Sequence, residues 1–208
     1  VIRWTFYASF PAFIVVVLFS GPLLRLLFGG QYVVGAAATV ILGLSVILGN
    51  LTSSVDEYLM SSSRTELIAK NSVGHLALNI PLNFVLVPLY GIEGAALATT
   101  ISVIVIDAVL IYELLGIEQV NPYGWYVAKP VLASLPGLVS VWVCLQLFFE
   151  TVPVWSLVPG GLGYGILYVA GMVATRAFNE DDREIITSGF RRLGNEEMGE
   201  KVADFLIR

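Results

Sequence analysis

Apolar runs of membrane-spanning length with few charges dominate this chain, and they leave few folds open to it. A helix that crosses a bilayer needs roughly 20 mostly apolar residues. Runs of that kind occupy about residues 4–28, 33–60, 67–89, 92–115, 127–149 and 154–177. The expectation is therefore an all-α integral membrane protein, a bundle of six transmembrane helices. Barrel strands are excluded, because strands of about 10 residues alternate polar and apolar side chains and these runs do neither. Only 13% of the 208 residues are charged, about half the ~25% of a soluble domain. That is too little charge to cover a water-facing surface. Several runs exceed the bilayer thickness, so tilt or protruding ends are expected.

Turn signals separate the runs. Gly29-Gly30 follows the first, Ser61-Ser62-Ser63-Arg64-Thr65 the second, and Pro88-Leu89-Tyr90-Gly91 the third. Gly91 suits a left-handed helix cap. Asn121-Pro122-Tyr123-Gly124 lies in the longest internal loop, and Pro153 parts the last two runs. With the N-terminus inside, Arg3, Arg64, Lys70, Lys129, Arg176, Arg183, Arg191, Arg192, Lys201 and Arg208 all fall on the cytoplasmic face, and Arg25 alone falls outside. Ten against one is a strong positive-inside asymmetry, which predicts both termini in the cytoplasm. Trp4, Tyr7, Tyr32, Tyr58, Tyr90, Tyr112, Tyr123, Trp125, Tyr126 and Trp155 sit near run ends, where amphipathic rings meet head groups.

After Ala177 the character changes. Residues 178–208 carry Glu180, Asp181, Asp182, Glu184, Glu196, Glu197, Glu200 and Asp204, so this acidic tail faces water. Asn179 can cap a helix and the acids after it suit the positive end of its dipole. Ile185, Ile186, Phe190 and Leu193, then Met198, Val202, Phe205 and Leu206, recur at helical spacing. Two short amphipathic helices are predicted, lying on the inner membrane surface, packed under the bundle or solvated as a tail.

Polar residues inside apolar runs carry the functional signal, because lipid gives them no hydrogen bonds. Asn71, His75, Asn79 and Asn83 recur every four residues and so share one helical stripe. Such a stripe either lines a wet cavity, offering amides and an imidazole to sugar hydroxyls, or hydrogen-bonds to a neighbouring helix. Pro81 and Pro88 break the backbone ladder nearby and predict a bent helix. Gly94, Ala98 and Ser102 form a small-residue stripe for close packing. Asp107, deep in the fourth run, is either an ion-coupling group or a carboxylate satisfied by a buried partner. Asp56 and Glu57 fall near the cytoplasmic end of the second run, facing Arg64. Arg25, just after the kink-forming Pro22, either binds a pyrophosphate at a cavity mouth or snorkels to outer head groups. Arg64 and Lys70 are phosphate contacts on the inner side or determinants of topology.

Cys144 is the only cysteine and His75 the only histidine, which excludes an intrachain disulfide and paired-Cys or paired-His metal sites. No hydrolase, phosphate-loop or dinucleotide signature is present. Catalytic residues, a metal, a cofactor and a nucleic-acid partner are therefore not expected.

Three segments together resemble a known family: Pro22-Leu23-Leu24-Arg25-Leu26-Leu27-Phe28-Gly29-Gly30-Gln31-Tyr32, then Ser63-Arg64-Thr65, then the stretch from Leu78-Asn79-Ile80-Pro81-Leu82-Asn83 through Pro88-Leu89-Tyr90-Gly91-Ile92-Glu93-Gly94-Ala95-Ala96 to Thr99. The pattern is similar to the polysaccharide transporter, or O-antigen flippase, branch of the multidrug/oligosaccharidyl-lipid/polysaccharide exporters. It covers about residues 5–115. The resemblance implies two helical lobes facing a central cavity and alternating access for a lipid-linked saccharide at the cytoplasmic membrane. It makes these six runs the last of about fourteen and predicts a partial chain, its N-terminal portion supplied in the same or a separate polypeptide. Two other readings remain open: a cation-coupled exporter of the same superfamily, where Asp107 matters most, and a non-transporting membrane assembly subunit.

Overall fold

The computed structural model describes residues 2–61, 64–118, 128–149, 152–179, 181–192 and 196–207. Among these residues the regular structure is helical throughout. In order they are α1 (Ile2–Phe28), a short 3-10 turn (Gly30–Gly35), α2 (Ala36–Ser61), α3 (Thr65–Glu118), α4 (Ala128–Phe148), a second 3-10 turn (Val154–Ser156), α5 (Leu157–Ala174), α6 (Asp181–Arg192) and α7 (Glu196–Ile207).

The 54-residue α3 is a hairpin. Its one non-helical residue is Gly91, at φ 56° and ψ −130°, a conformation in which a Cβ would clash and glycine does not. Lys70 and Glu113 would lie about 65 Å apart along a straight helix at ~1.5 Å per residue; their charged atoms are 3.0 Å apart. The third and fourth runs of the sequence are thus the two arms of one α3 hairpin, and the Gly91 turn falls where the Pro-Leu-Tyr-Gly signal put it. Among the described residues, five helices are long and apolar enough to cross a membrane, and one of them, Thr65–Glu113, holds 49 residues, with an apolar window of mean hydropathy 2.2. Folded at Gly91, it contributes two rods rather than one.

α1 is the hub. It packs against α2 on one side and against α4 and α5 on the other, while α2 packs on the α3 hairpin and α4 on α5. Pro22 removes the amide that would bond one turn back, and α1 breaks at Phe19 (φ −129°, ψ 21°). The Phe19 ring is fully buried in the larger core with Tyr7, Ile14, Ala133, Val141, Leu145, Tyr164, Tyr168 and Met172. Tyr168 donates its hydroxyl hydrogen bond to the Tyr7 carbonyl, and Tyr7 donates to the Ala177 carbonyl, each at 3.0 Å. A smaller core of Val55, Leu59 and Leu110, with Leu67 and Ile68, closes the far end of the hairpin over α2.

α4 and α5 cross at almost no distance. A Cβ on Gly171 would stand 2.5 Å from the Ala133 carbonyl oxygen and 3.0 Å from its Cα, backbone atoms that cannot swing aside. α5 ends in a Schellman turn: the Ala177 amide bonds to the Met172 carbonyl and the Arg176 amide to Val173, with Arg176 in the left-handed region at φ 47°. The helix stops at Ala174, three residues short of the end of the apolar run. From there the chain is strapped to the start of α1. Trp4 Nε1 donates to Asp182 Oδ1 at 2.9 Å, and Asp182 Oδ2 accepts from the Asn179 amide at 2.8 Å, the returning half of a capping box. Lys129 Nζ adds a bond to the Arg176 carbonyl at 2.7 Å. α6 and α7 pack on each other, with an Arg183–Asp204 ion pair and Ala203 fully buried between them.

Large apolar side chains point outward along the rods: Val73, Leu76, Phe84, Val139, Trp142 and Ile166 are each more than half exposed. As little as 11% of the apolar window in α1 is buried inside the protein. Patches of this extent are not stable in water, and the chain is an all-α membrane protein. The α4–α5 crossing yields a differential expectation. Gly171→Ala lowers the melting temperature in detergent, at a cost of about 1–3 kcal/mol for overpacking. Gly165→Ala, where an added Cβ meets nothing within 4 Å, leaves it unchanged or raises it.

Candidate functional site

The polar stripe of the first α3 arm meets the second arm rung by rung. Asn71 Nδ2 donates to Glu113 Oε2 at 3.3 Å. One residue earlier, Lys70 Nζ pairs with Glu113 Oε1 at 3.0 Å. Next toward the turn, His75 and Asp107 share a cavity of about 240 Å³ with Asn71, Ser72, Ile68, Val103, Ile106 and Leu110. His75 Nε2 is buried there with no hydrogen-bond partner. Above it Asn79 Nδ2 donates to Thr99 Oγ1 at 3.4 Å, a long and weak bond. Thr99 itself donates to the Ala95 carbonyl. Asn83 bonds along its own helix, to Asn79 O at 2.9 Å and Asn79 Oδ1 at 3.0 Å.

The column therefore changes character along its length. Near Arg64 it is sealed: Asn71 is 7% exposed and the Glu113 side chain 17%. Toward Gly91 it opens, and Asn79 and Asn83 border a wide groove of about 470 Å³ with Ile80, Phe84, Val87 and Pro88. Amides half engaged by a neighbour and half facing open space can still exchange hydrogen bonds with hydroxyl-rich ligands.

The basic candidates are divided between the two ends. Arg25 is exposed on the last turn of α1. That turn adjoins the Gly91 end, because a Cβ on Gly35 would touch both Leu24 and Ile92. Arg64 lies exposed between α2 and α3, its amide bonded to the Leu59 carbonyl at 2.9 Å. Lys70 is also at this end, with a 70% exposed side chain. The arm between Lys70 and the turn is roughly 30 Å long at ~1.5 Å per residue. Arg25 and the Arg64–Lys70 pair therefore cannot grip one phosphate together. The side chains of Asp56 and Glu57 lie outside the described residues.

Glu113 is the member of the column that sequence reasoning missed. It stands near the end of an apolar run, like any solvated helix end. Its only signal is that it lies about as far beyond Gly91 as Lys70 and Asn71 lie before it. The small-residue stripe does what packing requires: Gly94, Ala98 and Ser102 are buried, Ser102 bonds to the Ala98 carbonyl, and Thr100 reaches Ile41 O of α2 at 3.0 Å. Elsewhere, a cavity of about 300 Å³ lies between α4 and α5, bordered by Cys144, Phe148, Trp155 and Leu167. It is apolar and holds no charged group. Among the described residues no three His, Cys, Asp or Glu side chains come together as a metal site.

Glu113 holds two partners and is mostly buried, whereas Lys70 is a surface cation. Lys70→Ala is expected to cost about 0–1 kcal/mol, as exposed ion pairs do. Glu113→Ala strands the buried Asn71 amide and costs about 1–3 kcal/mol. Thermal unfolding of the two variants in one detergent checks the order.

Comparison with curated proteins gives a relative of the following kind. The chain is 29% identical over 147 residues, 66% of its length, to the probable low-salt glycan biosynthesis flippase Agl15 of Haloferax volcanii, and spans 31% of that protein. No protein-family profile matches the chain, and no solved structure matches it significantly.

Proposed function

We propose that this chain is part of a transporter that carries a lipid-linked saccharide across the cytoplasmic membrane by alternating access. The supporting observation is the α3 column, with hydrogen-bonding amides turned into an open groove within apolar helices. Its likeness to a glycan biosynthesis flippase points the same way. A sugar head group and its phosphates lose their water on entering hydrocarbon, at a cost far above thermal energy, so a carrier must offer replacement hydrogen bonds through the membrane. Asn79 and Asn83 are placed to do so at the groove, with Asn71 and His75 deeper in the column. Arg25 at one end and Arg64 and Lys70 at the other are charges where a phosphate would arrive and depart.

The orientation follows from charge. Arg64, Lys70, Lys129 and Arg176 gather at the end opposite Arg25, and cations stay in the cytoplasm. The Gly91 turn then faces outward, six rods cross the bilayer, and both termini and the acidic tail lie inside. The matched region is under a third of the relative. The wall facing this groove is supplied by further polypeptide, in the same or a separate chain.

The test replaces Asn79→Leu and Asn83→Leu in the complete transporter. Each amide is worth about 0.5–1.5 kcal/mol, so losing both should slow glycan export about tenfold or more at normal membrane levels. Unchanged export would overturn the cavity role, and loss of the protein from the membrane would assign the two residues to packing.

A further inference from the structure

The groove amides of the first α3 arm are not free to turn, and their fixed sense decides what the groove can hold. An asparagine side chain is an acceptor at one end and a donor at the other, and its partners decide which end lies where. Asn83 is pinned by main chain. The side-chain atom 2.9 Å from the Asn79 carbonyl oxygen is the nitrogen, because a backbone carbonyl only accepts. The same nitrogen lies 3.0 Å from the Asn79 side chain, which therefore turns its Oδ1 toward it. That sends Asn79 Nδ2 to Thr99 Oγ1 at 3.4 Å, and Thr99 donates in turn to the Ala95 carbonyl at 3.1 Å. Every bond in the run points one way, from Asn83 to Ala95. The Asn83 oxygen is left over: among the described residues nothing donates to Asn83 Oδ1. Asn83 borders the open groove together with Phe84 and Pro88. Pro88 has no amide hydrogen, so the Phe84 carbonyl one turn back lacks its helical partner and adds a second acceptor to that wall. One donor stands beside these acceptors, the second hydrogen of Asn79 Nδ2.

We infer that this groove selects hydroxyl groups that donate a hydrogen bond and turns away phosphate and carboxylate, so that it meets the sugar of a lipid-linked saccharide and not its phosphate. The inference rests on the reading of the groove as part of a saccharide path, and it names the part of the ligand that the groove takes. A sugar hydroxyl donates to one group and accepts from another, which matches two carbonyl oxygens beside one N–H. A phosphate or carboxylate oxygen only accepts. It would set a negative oxygen against the oxygens of Asn83 and Phe84, and low dielectric strengthens that repulsion. No charged side chain lines the groove, whose remaining residues are Ile80 and Val87. An ammonium group also donates, but the groove holds no carboxylate to offset the loss of its hydration. Arg25, Arg64 and Lys70 lie outside this wall, so sugar and phosphate are met by different side chains.

Probes that share an octyl tail separate these chemistries: octyl glucoside, the same glucoside methylated on every hydroxyl, octyl phosphate and octylammonium. The methylated sugar keeps its oxygens as acceptors but donates nothing. The whole chain is placed in lipid nanodiscs with its asparagines labelled with ¹³C and ¹⁵N, and the signal lost in Asn83→Gln identifies the Asn83 side-chain carbonyl. Octyl glucoside, kept below its micelle concentration, should move that signal. The other probes should bind about tenfold more weakly or not at all, the loss expected for two hydrogen bonds. An equal response to the methylated sugar would overturn the inference, as would a preference for octyl phosphate or octylammonium, or no response to octyl glucoside. The comparison is made on the unaltered chain and does not depend on how a variant folds. Equal responses to all the probes, with export still slowed by the Asn79→Leu and Asn83→Leu pair, would leave the saccharide path standing and refute the polarity of the groove alone.

Discussion

Hydrocarbon offers no hydrogen bonds, and every polar group in the apolar rods has to be satisfied by the protein. Backbone groups meet this condition by being helical. The exceptions are located and answered. The break at Phe19 follows from Pro22 and is sealed by burial of the Phe19 ring. The reversal at Gly91 uses the residue that tolerates its dihedral angles. Side-chain hydroxyls mostly return to a carbonyl one turn back, as Thr39, Ser45, Thr52 and Ser134 do. The α3 column is the densest polar group, with amides, an imidazole and carboxylates gathered in one hairpin.

That concentration divides the molecule by task. α4 and α5, held to each other by close backbone contact and tied to the first half of α1 by two tyrosine hydroxyls, form one side of the bundle. The α3 hairpin packs on α2, and α2 in turn packs on α1. The polar column thus lies on the half of the bundle formed by α2 and α3, away from the α4–α5 pair. The Trp4–Asp182 bond ties the start of α1 to the first tail helix.

Much of this was legible in the sequence because hydropathy and length report directly on lipid exposure. The rods fall close to the apolar runs, with α2 beginning at Ala36 after a 3-10 turn and α5 ending at Ala174. The Gly91 reversal was readable from Pro88-Leu89-Tyr90-Gly91, and the paired tail helices from the spacing of Phe190, Met198 and Phe205. The stripe was visible, but its partners were not. Four-residue spacing names a face without saying what covers it, and the register that brings Glu113 to Asn71 exists only once the hairpin closes. Trp4 shows the same limit: its place at a run end suits an interface ring, but the sequence does not disclose that its indole nitrogen bonds to Asp182, 178 residues away.

The account stands on the hairpin being threaded through a bilayer, with its turn and its open ends on opposite faces. In a Cys144→Ser background, single cysteines replacing Arg64 and Leu89 can be probed with a membrane-impermeant maleimide on intact cells and after lysis. Position 89 should label on intact cells and position 64 only once the membrane is opened. Labelling of both positions from the same side would contradict the threading, and with it the column as a path through the membrane.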